Sequence, residues 1–166
     1  MILRHAQDGG LRSFDKAQDR QALRSESPDA IGRQTIFITG GRLIDPGQGL
    51  DNIADLLISE GKVVWIGKGK LPEKTDTDKV FSARGMIVCP GFIDLHCHLR
   101  EPGFEVKETI ATGTAAAAKG GFTTVCCMPN TQPPLDSQAA VEFVLNKASK
   151  EGVVRVLPVG CITRGR

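Results

Sequence analysis

The sequence predicts an α/β protein in which a small β-sandwich domain precedes the start of a parallel (β/α)8 barrel. Up to about residue 90, short β-branched and apolar runs alternate with glycine turns, a pattern typical of strands joined by hairpins. Beyond that point the pattern becomes strand, helix, strand, helix, strand, which is how a parallel barrel begins. The whole chain has 166 residues. A complete barrel takes about 250, so we expect a truncated barrel of about three strands.

The first 33 residues differ in composition from everything that follows them. Their apolar residues are sparse and their charges alternate in sign, so too little apolar surface is available to offset the entropy of ordering. We expect residues 1–33 to be a disordered extension, or an artefact of a start codon assigned too early. Residues 34–90 are then the predicted β-sandwich domain, and residues 91–166 the incomplete barrel.

The composition excludes several classes of partner. Lys and Arg number 21 against 19 Asp and Glu, and this balance gives no reason to expect nucleic acid or an anionic membrane. No apolar run of about 18 residues could span a bilayer, and the first residues lack the apolar core of a secretory signal. The chain has five cysteines. An odd count without framework spacing favours reduced thiols in a cytoplasmic protein.

Six short strands are predicted in the β-rich segment, separated by glycine or proline turns. They lie at residues 35–39, 42–45, 54–59, 62–66, 80–83 and 86–88. Glu60-Gly61 is a hairpin signature between the third and fourth strands, and Arg84-Gly85 is expected to join the last two as a pair.

The barrel segment is predicted to alternate three strands with two helices. In order, these are a strand at 92–98, a helix at 105–119, a strand at 122–128, a helix from Asp136 or Ser137 to about 150, and a strand at 153–162. Small and apolar residues spaced by three and four define the helices, and glycines at 120, 121 and 152 end them.

The strand at 92–98 ends in the most informative motif of the chain. Alternation along a strand places four side chains on one face: Asp94, His96, His98 and Arg100. Two imidazoles one step apart on a face can bind one metal ion. Zinc is the default for such ligands, with manganese, iron and cobalt as alternatives. The motif also lies at the carboxyl end of a strand, where α/β folds build their active sites.

The alternative interpretation is a surface strand whose histidines bind no metal. Phe92, Ile93 and Leu95 argue against it, because so apolar a strand is normally buried, and a buried histidine pair needs partners. Cys97 lies between the histidines but faces the opposite way, so we expect it to pack rather than bind metal.

Four short motifs carry a resemblance to a known family. They are Pro90-Gly-Phe-Ile-Asp-Leu-His-Cys-His98, His98-Leu-Arg-Glu-Pro-Gly103, Gly120-Gly-Phe-Thr-Thr-Val125 and Met128-Pro-Asn-Thr131. In this order and spacing they resemble the dihydroorotases of the bacterial single-domain type, which belong to the amidohydrolase superfamily of metal-dependent hydrolases. The resemblance runs from about residue 35 to the last residue.

This resemblance implies reversible ring opening of dihydroorotate to N-carbamoyl-aspartate, a step of pyrimidine synthesis that uses one or two zinc ions. His96 and His98 match the family's first two metal ligands, and Arg100 and Asn130 match its contacts to the substrate carboxylate. The family does not assign Asp94 to the metal, so we expect a structural carboxylate there. The family's other ligands and its general base follow later strands. No catalytic residue is therefore assigned in this chain, and the chain alone is expected to be inactive.

Other interpretations stay open. The chain could be part of an allantoinase or hydantoinase, which share the His-x-His strand, or a non-catalytic dihydroorotase-like scaffold subunit. Arg100 could instead form an ion pair with Glu101, and Asn130 could serve a turn beside Pro129. For the complete dihydroorotase, the resemblance implies a small-molecule substrate and allows a homo-oligomer or an aspartate carbamoyltransferase partner.

Overall fold

The computed structural model describes residues 2–4, 34–69 and 77–165. They form two compact units, Ile2–Pro90 and Gly91–Arg166. Six strands belong to the first unit: β1 (Ile2–Arg4), β2 (Ile36–Asp45), β3 (Leu50–Ser59), β4 (Lys62–Gly67), β5 (Lys79–Ser82) and β6 (Met86–Val88), with a short 3-10 helix at Pro46–Gln48. The second unit alternates strands and helices: β7 (Phe92–Cys97), α1 (Ile110–Lys119), β8 (Phe122–Cys127), α2 (Gln138–Glu151) and β9 (Arg155–Pro158).

The strands of the first unit form one connected mixed sheet in the order β1-β6-β2-β3-β4, with β5 also paired to β2. Strand β2 is continuous where the sequence predicts two strands, and its register against β3 shifts between Ile38 and Gly41. At Gly41 an added Cβ would lie 2.6 Å from Val88 Cγ2, so glycine allows β6 to approach this closely. A division of this sheet into the two layers of a sandwich stays a prediction.

Strands β5 and β6 do not pair with each other, and the predicted pair about Arg84-Gly85 is wrong. Both strands run parallel to β2 along the same side of it. Between them the Ala83 amide donates to the Thr39 carbonyl at 2.7 Å, which keeps the chain on β2 instead of reversing it. The hairpin at Glu60-Gly61 is confirmed, since β3 and β4 pair antiparallel. These two residues have φ of 52° and 71°, as a type I′ turn requires.

The second unit is a three-stranded parallel sheet in the order β7-β8-β9. Its core consists of apolar side chains from the strands, both helices and the intervening loops: Leu99, Ile110, Val125, Cys127, Leu135, Ala140, Val144 and Val156. The predicted alternation of strand and helix is therefore present. Whether the sheet continues into a (β/α)8 barrel stays a prediction.

Helix α1 begins later than predicted, at Ile110 instead of residue 105. The Thr109 side chain accepts from the Thr112 amide at 3.1 Å, and the Thr112 hydroxyl accepts from the Thr109 amide at 3.1 Å, which forms a capping box. Upstream, the Glu105 carboxylate accepts from the Gly103 amide at 2.8 Å and holds a turn there. Strand β9 is also shorter than the predicted 153–162 and ends at Pro158.

Little of the predicted extension over residues 1–33 is described. Ile2–Arg4 forms β1 and pairs antiparallel with β6. The other residues of that segment lie outside the described residues, so the expectation of disorder there stays a prediction. Among the helices that the structure describes, none combines the length and apolar character needed to cross a membrane.

Candidate active site

His96 and His98 lie together at the carboxyl end of β7. His96 belongs to the strand and is exposed, and His98 follows its end. Their ring centroids are 5.3 Å apart and the rings meet edge to face at 68°. With a zinc–nitrogen bond of about 2.1 Å and a further ~1.1 Å to the ring centre, two imidazoles on one tetrahedral zinc have centroids about 5 Å apart. The observed spacing therefore suits two ligands of one ion.

The Asp94 side chain accepts a hydrogen bond from the backbone beside these rings. Its Oδ1 accepts from the His96 amide at 3.0 Å, as expected of a structural carboxylate. The register of β7 against β8 shifts between Asp94 and Cys97. Within the part of the chain that the structure describes, no group of three or more His, Cys, Asp or Glu side chains could hold a metal. The two imidazoles at this edge thus lack a third ligand of these types among the described residues.

Asn130, in the loop that follows the neighbouring strand β8, contacts His98. Its Oδ1 lies 2.9 Å from His98 Nδ1. The contact arises because the Met128 amide, just after β8, donates to the Cys97 carbonyl at 2.9 Å and brings the ends of β7 and β8 together. The Asn130 side chain therefore contacts the proposed ligand, which the turn interpretation does not explain.

Arg100 does not continue the alternation of β7. The strand ends at Cys97, and Arg100 has a left-handed backbone with φ of 62°. The prediction that its side chain shares the histidine face by strand geometry is therefore wrong, because strand alternation does not extend that far. Its half-buried side chain has no hydrogen bond or ion pair with another residue in the described ranges.

The ion pair between Arg100 and Glu101 that was left open is absent from the described structure, because Glu101 binds elsewhere. Its carboxylate is buried, accepts from the Ile110 amide at 2.9 Å and lies 3.0 Å from Lys147 Nζ of α2. Lys147 also pairs with Glu151 at 3.1 Å. Glu101 thus ties the loop after β7 to both helices. Sequence reasoning missed this role, because nothing local to Glu101 indicates a partner in α2.

The loops after β7 and β8 contact each other closely. The Gln132 amide donates to the Pro102 carbonyl at 3.0 Å. At Gly103, which has φ of 95°, an added Cβ would lie 2.3 Å from the Gln132 carbonyl oxygen. No side chain fits there, so glycine is required for this contact. The segment that carries Arg100 and the segment that carries Asn130 are therefore held in one arrangement.

The apolar side chains of β7 are not buried, contrary to the sequence expectation. Phe92, Ile93 and Leu95 are 41%, 59% and 74% exposed. In the described sheet β7 has β8 as its single neighbour and lies at the edge, which leaves these side chains uncovered. The metal interpretation of the histidines therefore depends on their mutual geometry and not on burial.

Two thiols near the site are protonated in the metal-free protein. Burial raises the pKa of Cys97 to about 11, and it does the same for Cys127. Both groups are therefore protonated thiols at neutral pH, whereas a thiolate is the metal ligand. Cys97 packs against the core of the second unit, as the sequence predicts.

Comparison with known proteins gives one family. Residues 85–166 match the family model described as dihydro-orotase-like. The dihydroorotase of Citrifermentans bemidjiense is 53% identical over 131 residues, which cover 78% of this chain and 30% of that protein. The dihydroorotase of Endomicrobium trichonymphae is 56% identical over 124 residues, which cover 75% and 28%. This chain thus spans under a third of the length of these curated relatives.

Solved structures with a similar fold are hydrolases. The L-hydantoinase (dihydropyrimidinase) of Arthrobacter aurescens aligns with a TM-score of 0.66 and 26% identity, over 75% of this chain and 27% of that one. A D-hydantoinase aligns with a TM-score of 0.61 and 33% identity, over 75% and 26%. These similarities agree with an α/β fold of the kind found in these hydantoinases.

Proposed function

We propose that this chain belongs to the dihydro-orotase-like family, whose model matches residues 85–166, and that it forms part of a dihydroorotase active site. The reaction is the reversible ring opening of dihydroorotate to N-carbamoyl-aspartate. The observation that carries the proposal is the meeting of His96, His98 and Asn130 where β7 and β8 end. An identity of 53% to a dihydroorotase, against 26% and 33% to the hydantoinases, supports this substrate over a hydantoin.

His96 and His98 are the proposed ligands of a divalent metal, with zinc as the first choice. Their centroid spacing of 5.3 Å supports binding to one ion. A metal held there would polarise the attacked carbonyl and lower the pKa of bound water. A catalytic zinc site normally takes three protein ligands. The described residues supply two, since no third His, Cys, Asp or Glu side chain completes a group with them.

Arg100 and Asn130 are the proposed contacts to the substrate carboxylate. A guanidinium binds a carboxylate through two parallel hydrogen bonds, which fixes the orientation of the ring that carries it. Arg100 has no competing partner among the described residues, and the Glu101 carboxylate beside it is already occupied by Lys147. The Asn130 amide group keeps its two N–H donors for the same substrate group.

The proposal also covers the fold of the two units. We propose that β7, β8 and β9 correspond to the first three strands of a (β/α)8 barrel, and that residues 34–90 form the β-sandwich domain that precedes it in the sequence. The parallel order of the three strands supports the barrel. The hydantoinase alignments cover 75% of this chain and therefore include parts of both units.

A chimera tests the proposed function. In it, this chain replaces the 131 matched residues of the Citrifermentans bemidjiense dihydroorotase. We expect ring opening of dihydroorotate, and we expect the His98→Ala chimera to be inactive. A folded chimera that opens hydantoin and not dihydroorotate would support the hydantoinase alternative. A folded chimera that opens neither would support a non-catalytic subunit.

A further inference from the structure

We infer that Asn130 is a positioning residue that selects the tautomer of His98 and so directs its Nε2 to the metal. The inference deepens the proposed function and depends on the metal site proposed above. It gives Asn130 a role besides substrate binding. The contact that carries it is the 2.9 Å distance between His98 Nδ1 and Asn130 Oδ1.

With Asn130 Oδ1 facing His98 Nδ1, as in this structure, the chemistry of the two groups leaves one arrangement for a neutral imidazole. An amide oxygen accepts hydrogen bonds and cannot donate them, so Nδ1 must carry the proton. A neutral imidazole has a single N–H, and the lone pair is then on Nε2. Metals bind the lone pair of neutral imidazole, and the hydrogen bond made by the other nitrogen decides which nitrogen is available. Asn130 thus prepares His98 as an Nε2 ligand.

The backbone holds the Asn130 side chain in place for this contact. Two residues before it the Met128 amide donates to the Cys97 carbonyl at 2.9 Å, and two residues after it the Gln132 amide donates to the Pro102 carbonyl at 3.0 Å. Between them, the buried Thr131 donates its hydroxyl to the Pro133 carbonyl at 2.7 Å. Asn130 is therefore fixed from both sides against the loop that carries His98.

The two histidines differ in whether a hydrogen bond orients the ring. In the described part of the chain, the His96 ring has no hydrogen-bond partner and contacts His98 edge to face. Only the His98 ring is oriented by a second polar group. The Asn130 Nδ2 group is still free to donate to an anion, so the same amide joins the metal ligand to the substrate carboxylate.

The test uses three variants of the 166-residue chain. Asn130→Leu removes the acceptor and keeps the size, Asn130→Asp keeps an acceptor, and Asn146→Leu, at an exposed asparagine of α2, is the matched control. Long-range nitrogen–proton NMR correlations of the imidazoles report the tautomer in metal-free protein. We expect His98 to carry its proton on Nδ1 in the parent chain, in Asn130→Asp and in Asn146→Leu, and to move toward the Nε2–H form in Asn130→Leu.

Zinc titration gives the second measurement. We expect Asn130→Leu to bind zinc about 10–100-fold more weakly than the parent, the usual cost of losing a group that orients a ligand, and Asn130→Asp to recover most of that loss. A parent His98 with its proton on Nε2, or an Asn130→Leu variant with parental zinc affinity, would overturn the inference. If His98→Ala binds zinc as the parent does, the proposed metal site fails, and the tautomer measurement alone decides the role of Asn130.

Discussion

His96 and His98 are separated by a single residue, yet different groups contact them. The backbone amide of His96 is held by Asp94, and its ring is left to contact His98. The ring of His98 is held by Asn130. Arg100, two residues further, lies beyond the strand in a left-handed conformation. One short segment thus carries the proposed metal-binding and anion-binding groups in distinct backbone geometries, and each group has its own expected phenotype.

The first prediction separates these phenotypes in the chimera. His96→Ala should abolish activity because it removes a metal ligand. Arg100→Ala should keep the metal and weaken substrate binding by about 2–5 kcal/mol, the cost of truncating one partner of a desolvated charge pair. Zinc content and steady-state kinetics of both variants measure this. Loss of zinc in the arginine variant, or activity in the histidine variant, would mean that the site is misassigned.

The loop after β7 owes its position to a buried carboxylate that joins three elements. Glu101 accepts from the first amide of α1 and pairs with Lys147 of α2, while its own backbone continues from β7. A buried carboxylate of this kind is stable only with partners, and Glu101 has two. The helices and the loop that carries Arg100 therefore depend on one side chain.

Glu101→Gln tests this dependence. The uncharged amide keeps the shape but weakens both hydrogen bonds, so we expect the free energy of unfolding to fall by about 1.5–3 kcal/mol, the range for hydrogen bonds to charged groups. Glu142→Gln, at an exposed position of α2, is the matched control and should change stability by less than about 0.5 kcal/mol. Urea unfolding measures both. Equal stabilities of the two variants would contradict the prediction.

The stabilisation from the contact between Lys147 and Glu101 is expected to depend on pH. Its hydrogen bond to Glu101, and then that to Glu151, raise the pKa of Lys147 above the usual 10.5. A raised folded-state pKa means that the stabilisation is complete below the unfolded-state pKa and is lost as pH rises through the folded-state pKa. We expect the melting temperature of the parent chain to fall in that alkaline range more than that of Lys147→Met. Parallel pH profiles for the two proteins would exclude this contribution.

Local sequence patterns predicted the strands and helices well. Contacts between residues that are distant in sequence could not be predicted from such patterns. Alternation in β7 led to the histidine pair, and the Glu60-Gly61 turn signature between two apolar runs led to the hairpin. Helix α1 was predicted too long because several residues before Thr109 can be helical, and only the capping box decides where it begins. The partner of Glu101 was not predictable, since it depends on how α2 packs against the loop after β7.

In the second unit as a whole, apolar surface lies at the exposed edge of the sheet. Strand β7 pairs with β8 alone, and Leu95 is 74% exposed on it. Open parallel edges with apolar side chains promote association between chains. Parallel sheets are normally covered on both faces, and three strands leave an edge unpaired.

Self-association of the isolated chain is the expected result. We expect it to sediment as oligomers whose size grows with protein concentration, and we expect Leu95→Lys to reduce that association because a charged edge disfavours strand pairing. Val106→Lys is the matched control: it adds the same charge at a loop residue that is 99% exposed. Sedimentation velocity over a range of concentrations measures the effect. A parent chain that stays monomeric and melts cooperatively would contradict the prediction.

The contact at Gly103 limits how this site can diversify. Because its Cα lies against the Gln132 carbonyl and Pro102 accepts from the Gln132 amide, the two loops can change length only together. An insertion in either one would separate Arg100 from Asn130, the two proposed contacts to the substrate carboxylate. Natural variants with altered substrate range should therefore conserve the lengths of both loops and accumulate their changes elsewhere around the site.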